Sequence, residues 1–497
     1  MNTVRMTSLK GDEILVDTEK RKSGAVKDIY FHPDRRYVVG FYREVDDYPA
    51  LRDRLVEITG RYRENLFDQD HGDYWKPYFA WPQDVVEYNG GIGVVVPFYD
   101  SAYFFEHGSV DNDKLNIRGE EKEGKWFTSA LHRTKFLDPR EIGTWLSYLQ
   151  ICLRIARAVR RLHMAGLAHS DLSYKNVLVD PTTSKVCLID LDGLVVPGKY
   201  PPDVVGTPDF IAPEVVAGQH LGRDDPGRVL PSQATDRHAL AVLIYMYLFC
   251  RHPLKGGKVH APDPDIDSAL EMGRDALFIE HPDDTSNRVR SDELSSSVLP
   301  WGDPEQRPYT MAGPHLRRLF ERAFIDGLHD PARRPSPSDW ESALLRTLDM
   351  IQPCPKPCAM AWYVFDDTRA PVCPHCGTPH QGTLPVLSLY SSRVAGQFHP
   401  DQAQIMVWDG QSLFPWHTNR KIFPNEHLKP ADQRRVGYFQ RHGGEWYLVN
   451  ERLPSMKIEA TDDVVPPGGR VKLEDGLRVL LSSDDGGRLF QVQMAGN

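Results

Sequence analysis

Cysteine is scarce, with seven residues in a chain of 497. That is too few to staple a protein of this length by disulfides, and it points to a reducing cytosol. Long apolar runs are missing too. The longest, Ala239 to Cys250, has 12 residues, short of the ~20 that a helix needs to cross a bilayer core. The opening MNTVRMTSLKGDEILVD has no apolar stretch of the secretory type. Positive charge is not in excess: Lys+Arg 59 against Asp+Glu 69 gives −10, which argues against a general binder of nucleic acid or anionic membranes. There is no internal repeat and no low-complexity tract. What is present is ordinary for a soluble globular protein, 40% hydrophobic and 26% charged, at a length that suits about three domains. The expectation is a cytoplasmic protein without a membrane span.

Residues 12–100 alternate short β-like runs, Tyr37 to Tyr42 and Ile92 to Tyr99, with a charged helical stretch around Leu51 to Asn65. Residues 101–140 are polar and irregular and read as an insertion. From Trp145 to His163, the apolar residues Leu149, Cys152, Ile155, Ala156, Val159 and Leu162 recur at three- and four-residue steps, the buried face of a long helix. Asp236 to Cys250 reads as a second buried helix. Proline and acidic residues thicken at 252–310, a second insertion, and a last helix is expected over Trp340 to Met350. Beyond residue 386 the pattern changes to short strands. Val436 to Phe439 and Trp446 to Val449 flank Gly443-Gly444, a hairpin signature, and Val471 to Leu473, Leu477 to Leu481 and Leu489 to Met494 follow.

The segment richest in chemistry is HSDLSYKNVLVD, residues 169–180, followed by VCLIDLDGL, residues 186–194. Phosphoryl transfer needs a carboxylate to orient the attacking hydroxyl and oxygen ligands to gather a metal and phosphates. Asp171 and Asn176 stand five apart, in the form H-x-D-x-x-x-x-N. Asp190 follows nineteen residues after Asp171, at the end of an apolar strand, and Ala212-Pro213-Glu214 lies a further twenty-four on. Each motif alone is weak; together, in order, they are specific.

On these motifs residues 12–350 resemble the protein-kinase superfamily. The resemblance implies ATP and magnesium as cofactors, Asp171 as catalytic base, and Asn176 and Asp190 as magnesium ligands. It makes His169 a packing residue of the catalytic loop and Asp236 the anchor of that loop, and it pairs Glu214 with Arg334 of DPARRPS. The N-terminal part departs from the family. The strand that normally carries Val-Ala-x-Lys reads YVVGFYRE, residues 37–44, with no lysine. Upstream, KSGAVKDIYF, residues 22–31, places Lys27 on the third glycine position of the glycine-rich loop, as in the with-no-lysine kinases. Lys27 is therefore expected to be the phosphate lysine. Its helix partner is expected to be Glu57, sixteen residues past Phe41, which aligns with the missing lysine; Glu64 is the competing choice. Other departures are Asp190-Leu191-Asp192 for Asp-Phe-Gly, its second carboxylate binding metal or facing solvent, and Ser170 for the arginine that receives an activation-loop phosphate. Ser173 stands at the usual lysine position, and Lys175 could supply that charge. Thr207 in Gly206-Thr207-Pro208 matches Ser/Thr kinases.

Cys354-x3-Cys358 and Cys373-x2-Cys376 supply four thiols in two close pairs, suited to tetrahedral structural zinc. His375 reads as a surface residue, and Cys152, Cys187 and Cys250 as core. The tail faintly resembles a forkhead-associated β-sandwich through PPGGRVKLEDGLRVLL, without that family's phosphothreonine signature; Asn419, Arg420, Arg434 and Arg435 are its candidates for anion binding. The expected fold class is α+β: a bilobal kinase fold (N-lobe 12–98, C-lobe 140–350), a zinc ribbon over 351–382, and an all-β sandwich over 386–497. The layout is similar to bacterial Ser/Thr kinases of tellurium-resistance and stress clusters. That similarity implies a von Willebrand A-domain protein as substrate and a PP2C-type phosphatase as antagonist. A pseudokinase scaffold, holding nucleotide and partners without turnover, remains the alternative from the residues alone.

Overall fold

The computed structural model describes residues 3–24, 26–69, 71–196, 199–200, 206–222, 225–366, 370–394 and 396–496. The chain divides into two compact units, one holding residues 1–143, 147–309 and 318–341, the other residues 144–146, 310–317 and 342–497.

The first unit opens with a six-stranded antiparallel sheet. Its strands are β1 (Thr3–Thr7), β2 (Glu13–Ser23), β3 (Lys27–Phe31), β4 (Tyr37–Tyr42), β5 (Asp84–Tyr88) and β6 (Gly91–Pro97), in the order β1-β2-β3-β4-β6-β5. The sheet begins at Thr3, ahead of residue 12. Side chains alternate across it. Val39 and Val95 point to one face with Phe41 packed against them, while Val94 and Ile92 point to the other with Tyr42, Leu51 and Leu55. Helix α1 (Tyr48–Glu57) covers that second face. Asp47 caps it by accepting from the Ala50 amide at 3.0 Å, with Pro49 pre-set for the first turn. A π-turn, Ile58–Tyr62, then passes the chain on to a short helix, Arg63–Phe67.

Two helices build the core below. Along α2 (Trp145–Met164), Cys152, Ile155, Ala156, Val159 and Leu162 are fully buried at the expected spacing. In α3 (Gln233–Phe249) every residue from Ala239 to Phe249 is buried. A reciprocal cap between Ser232 and Thr235 starts it, and Cys250, in the left-handed region at φ 56°, ends it. Between them the hairpin β7 (Val177–Asp180) and β8 (Lys185–Leu188) carries the motif loops.

Residues 101–140 are irregular, yet they are not a solvated loop. Phe105, Phe127 and Leu137 are buried, and Lys122 sits 5% exposed between Glu141 at 2.9 Å and Asp180 at 3.1 Å. Its carbonyl accepts from the Val179 amide, so the segment is sewn to β7. One charge of this polar stretch, Lys122, is thus a buried ion held by carboxylates outside it.

In the second unit β9 (Ile351–Pro353) pairs with β10 (Trp362–Val364) beside the cysteines. One sheet runs β12 (Gln397–Met406), β11 (Leu384–Val394), β19 (Arg488–Ala495), β18 (Arg478–Leu480), β16 (Lys457–Ile458). The other runs β13 (Ser412–Leu413), β14 (Gly437–His442), β15 (Glu445–Asn450), β17 (Arg470–Lys472). Gly443 and Gly444, at φ 60° and 86°, make the two-residue turn of the β14–β15 hairpin. Residues from both sheets, such as Val386, Ile405, Phe439 and Leu448, share one core with Tyr363, Phe365 and Cys373 of the cysteine segment.

Candidate active site

The loop before β7 is held by α3. Asp236, 1% exposed, accepts from the amides of His169 at 2.7 Å and Ser170 at 3.1 Å and from His163 Nε2 at 3.0 Å. His169 packs inward, its Nε2 3.1 Å from the Ile189 carbonyl. With the backbone fixed at these points, Ser170 adopts φ 66° just ahead of Asp171. Asn176 donates to the Asp171 carbonyl at 2.8 Å and to its Oδ2 at 2.9 Å. The amide and hydroxyl of Thr207 reach Oδ1 at 2.6 and 2.8 Å, and the same hydroxyl touches Ser173 Oγ at 3.2 Å. Lys175 is exposed, and only its backbone amide meets Ser173, at 3.3 Å. The charge expected from it at the Ser173 position is not delivered there.

Asp190 stands at the end of β8 in the left-handed region, φ 59° and ψ 47°, with its side chain 51% exposed. Lys27 reaches it from β3: Nζ lies 2.8 Å from Asp190 Oδ1 and 2.9 and 2.7 Å from the two oxygens of Asp192. Asp192 is 3% exposed and also takes the Tyr42 hydroxyl. The second carboxylate of Asp-Leu-Asp therefore neither faces solvent nor stands free; it is an internal counter-ion. Burial alone would lower the Lys27 ammonium, but the two carboxylates hold it above its ordinary range. Burial likewise works against the Asp192 anion, and Lys27 overrides it, leaving the carboxyl below its usual value.

One expectation at Lys27 is corrected, Glu57 as its partner. Strand register pairs Lys27 with Tyr42 and Asp28 with Phe41. Directly paired residues share a face, so Tyr42, not Phe41, stands across from the lysine, and Phe41 turns away against Tyr30. Gly40 lies on the lysine's face too; a Cβ there would press on Ile29 Cδ1 at 3.1 Å and meet Lys27 Cδ at an ordinary 3.4 Å, so its bareness eases the packing of Ile29 beside the lysine. The expected partner Glu57 is elsewhere, its Oε1 accepting from Lys199 Nζ at 2.9 Å. Among the described contacts neither Glu57 nor Glu64 meets Lys27. Helix α1 ends at Glu57 in the π-turn, and the nearer carboxylates of Asp190 and Asp192 have taken the ammonium. Sequence reasoning missed Tyr42 and the part played by Asp192; counting alternate faces from Lys27 through a hairpin would have found the first.

Farther down, Arg334 is 1% exposed and meets Glu214 through two parallel bonds of 2.8 and 2.7 Å, while also donating to the carbonyls of Gly327, Ala234 and Leu328. This fixes the end of the segment that carries Thr207.

The two clusters, around Asp171 and around Asp190, are joined at the base of the hairpin, where the Ile189 amide donates to the Asn176 carbonyl at 3.0 Å, and they hold the carboxylates, amide and ammonium of the kinds that phosphoryl transfer uses. Residues 100–308 match the family model described as protein kinase domain. The chain carries a protein kinase domain. The match starts at residue 100, so Lys27 and its sheet lie outside it. Among curated proteins, the serine/threonine-protein kinase PknD of Chlamydia abortus is 30% identical over 149 residues, 24% of this chain and 14% of that protein. The death-associated protein kinase dapk-1 of Caenorhabditis elegans is 36% identical over 106 residues, 21% and 7% of the two chains. The dual serine/threonine and tyrosine protein kinase of Apis mellifera is 35% identical over 93 residues, 19% and 10%. The chain spans no more than 14% of the length of these relatives. The solved kinase domain of a Toxoplasma gondii rhoptry antigen aligns at TM-score 0.38 and 15% identity over 70% of this chain and 86% of that one.

For the kinase domain's cofactors, the donor set fits a hard divalent cation. Asp190 offers a half-exposed carboxylate, and Asn176, with its amide nitrogen turned to Asp171, offers the amide oxygen. In the second unit the sulfurs of Cys354, Cys358, Cys373 and Cys376 all lie within 4.8 Å of one another. Four thiolates at about 2.3 Å from one zinc would stand ~3.8 Å apart, so the cluster fits that ion. The Thr378 hydroxyl beside Cys376 holds its thiol down to about 6, favouring the thiolate that a metal takes. Among the described residues no helix is long and apolar enough to cross a membrane.

Proposed function

We propose that the chain is an ATP-dependent Ser/Thr protein kinase. The reading is supported by two clusters at the two ends of the β7–β8 hairpin: Asn176 and Thr207 on Asp171, and Lys27 on Asp190, with the Ile189 amide donating to the Asn176 carbonyl at 3.0 Å. In this reading Asp171 orients the acceptor hydroxyl in line with the γ-phosphoryl group and takes its proton as the new oxygen–phosphorus bond forms and the bond to the β–γ bridging oxygen breaks, releasing ADP. Asn176 and Asp190 hold the magnesium, which supplies charge neutralisation across the phosphates when bound. Lys27 meets phosphate oxygens from β3, in place of a lysine on β4. Thr207, bridging Asp171 and Ser173, positions the segment on which an acceptor chain would lie and favours Ser or Thr as acceptor.

The finer reading follows from the layout. The four cysteines hold structural zinc, the two-sheet tail is a forkhead-associated-like sandwich that recruits the substrate, and the protein works in the cytoplasm. Its substrate is a von Willebrand A-domain protein, opposed by a PP2C-type phosphatase, in a stress or tellurium-resistance setting. Incubation with labelled ATP, magnesium and such an acceptor, followed by phosphoamino-acid analysis, tests the proposal. Phosphoserine or phosphothreonine is expected; phosphotyrosine alone, or label only on a small metabolite, contradicts it. The scaffold alternative draws on the lack of a lysine in β4, YVVGFY, and nucleotide bound without transfer would favour it.

A further inference from the structure

We infer that Asp192 is the positioning residue of Lys27, doing from the root of the activation segment what a helix glutamate does in the resembling kinases. The inference rests on the reading of Lys27 as the phosphate lysine.

Three observations carry it. Asp192 is almost wholly buried, and a carboxylate removed from water is tolerated only where a cation and further donors meet it. Both its oxygens accept from Lys27, and the Tyr42 hydroxyl donates to one of them. A lysine is a flexible four-carbon stem that points wherever its ammonium is held. Here a two-oxygen grip from Asp192 leaves Lys27 aimed at Asp190, the residue at the metal end of the cleft. Second, the position across the hairpin from the lysine is a tyrosine whose hydroxyl completes the carboxylate's shell. Third, the helix glutamate is engaged by Lys199, and α1 is thereby released from any duty to the nucleotide lysine. The tripeptide Asp190-Leu191-Asp192 then unites two roles, with Asp190 toward the metal at the cap and Asp192 toward the lysine within the single 3-10 turn Leu191–Gly193.

The test compares wild type, Lys27→Ala, Asp192→Asn, Glu57→Gln and the Lys27→Ala/Asp192→Asn double variant, all as full chains. It reads kcat/KM for ATP in transfer to a generic acceptor, with circular dichroism and melting to confirm folding. Asp192→Asn keeps the shape of the side chain and leaves Asp190 to meet the ammonium. A displaced lysine is expected to lower kcat/KM roughly 10- to 100-fold. In the Lys27→Ala background the same change is expected to cost less than about 2-fold, because two residues that act as a unit are not additive. Glu57→Gln is expected to stay within about 3-fold of wild type. Asp192→Asn at the wild-type rate, an undiminished loss in the Lys27→Ala background, or a Glu57→Gln defect equal to that of Lys27→Ala overturns the inference. Lys27→Ala transferring at the wild-type rate would instead overturn the lysine assignment beneath it. Should Asp192→Asn fail to fold, Tyr42→Phe reports in its place through the same cycle: a loss that disappears in the Lys27→Ala background supports the inference, and no loss contradicts it.

Discussion

Replacing Glu214 by alanine should strand the buried guanidinium of Arg334. Arg334 would keep its bonds to the carbonyls of Gly327, Ala234 and Leu328 but lose both bonds to carboxylate, leaving a cation 1% exposed without a counter-charge. Breaking such a pair from one side costs about 3–5 kcal/mol. Glu214 itself is 19% exposed, so water can enter where it stood and the lower end applies, about 3 kcal/mol. In a unit of about 330 residues, with an unfolding entropy of about 2.1 cal/mol/K per residue, that lowers the melting midpoint by roughly 4 °C. Calorimetry gives the shift, and hydrogen exchange over residues 208–218 and 322–334 locates it. A companion variant, Glu214→Leu with Arg334→Met, removes both charges and should be less destabilised than Glu214→Ala, because no ion is left stranded. A shift under about 1 °C for Glu214→Ala, or equal losses in the two variants, would refute the argument that an orphaned buried charge sets the cost.

His252 is buried as the neutral ring, its Nε2 on the Asp209 carbonyl at 2.8 Å and its Nδ1 accepting from the Leu254 amide at 3.2 Å; burial brings it down to about 4. A depressed folded-state value means the unfolded chain binds the proton first, so this stability is complete above about pH 6.5 and is lost as pH falls toward 4, by up to about 3 kcal/mol. Denaturant midpoints taken from pH 7 to 4 should fall, with a shallower fall in His252→Asn; equal slopes would contradict this. Asp236→Asn removes a charged acceptor from the His169 and Ser170 amides, and transfer should drop roughly 10- to 100-fold at ~1.5–3 kcal/mol for a charged bond; an unchanged rate would deny that α3 sets the loop. Cys373→Ser, at a sulfur with no exposure in the core shared with both sheets, should abolish bound zinc by elemental analysis and lower the melting of the second unit, and one zinc per chain retained would rule out that ligand set.

The C-terminal half of the kinase domain was legible because its chemistry is local in sequence. His169 to Asn176 and Asp190 to Asp192 sit on one hairpin, and the buried face of α2 repeats at helical steps. What the sequence concealed depends on pairing between strands. Phe41 and Tyr42 are adjacent, yet only the β3–β4 register decides which faces Lys27. The fate of Glu57 likewise depends on Lys199, 142 residues away. The polar run at 101–140 masked a buried ion triad, since a lysine between two carboxylates reads as surface charge until its partners are known. In the tail, the hairpin at Gly443-Gly444 announced itself by its turn, whereas the long pair β11 and β12 did not. Pro385 and Pro400 lie within those strands and interrupt the pattern; Pro400 stands opposite Tyr390, beside a register shift.

The central claim is that Asp171 and Lys27 serve one phosphoryl-transfer site. Its most direct test is transfer of labelled γ-phosphate from MgATP to the protein itself and to a generic acceptor, with wild type, Asp171→Asn and Lys27→Ala side by side. Label on wild type, with a loss of roughly 100-fold or more in Asp171→Asn and a clear loss in Lys27→Ala, is the expected result. Asp171→Asn transferring at the wild-type rate would contradict the account.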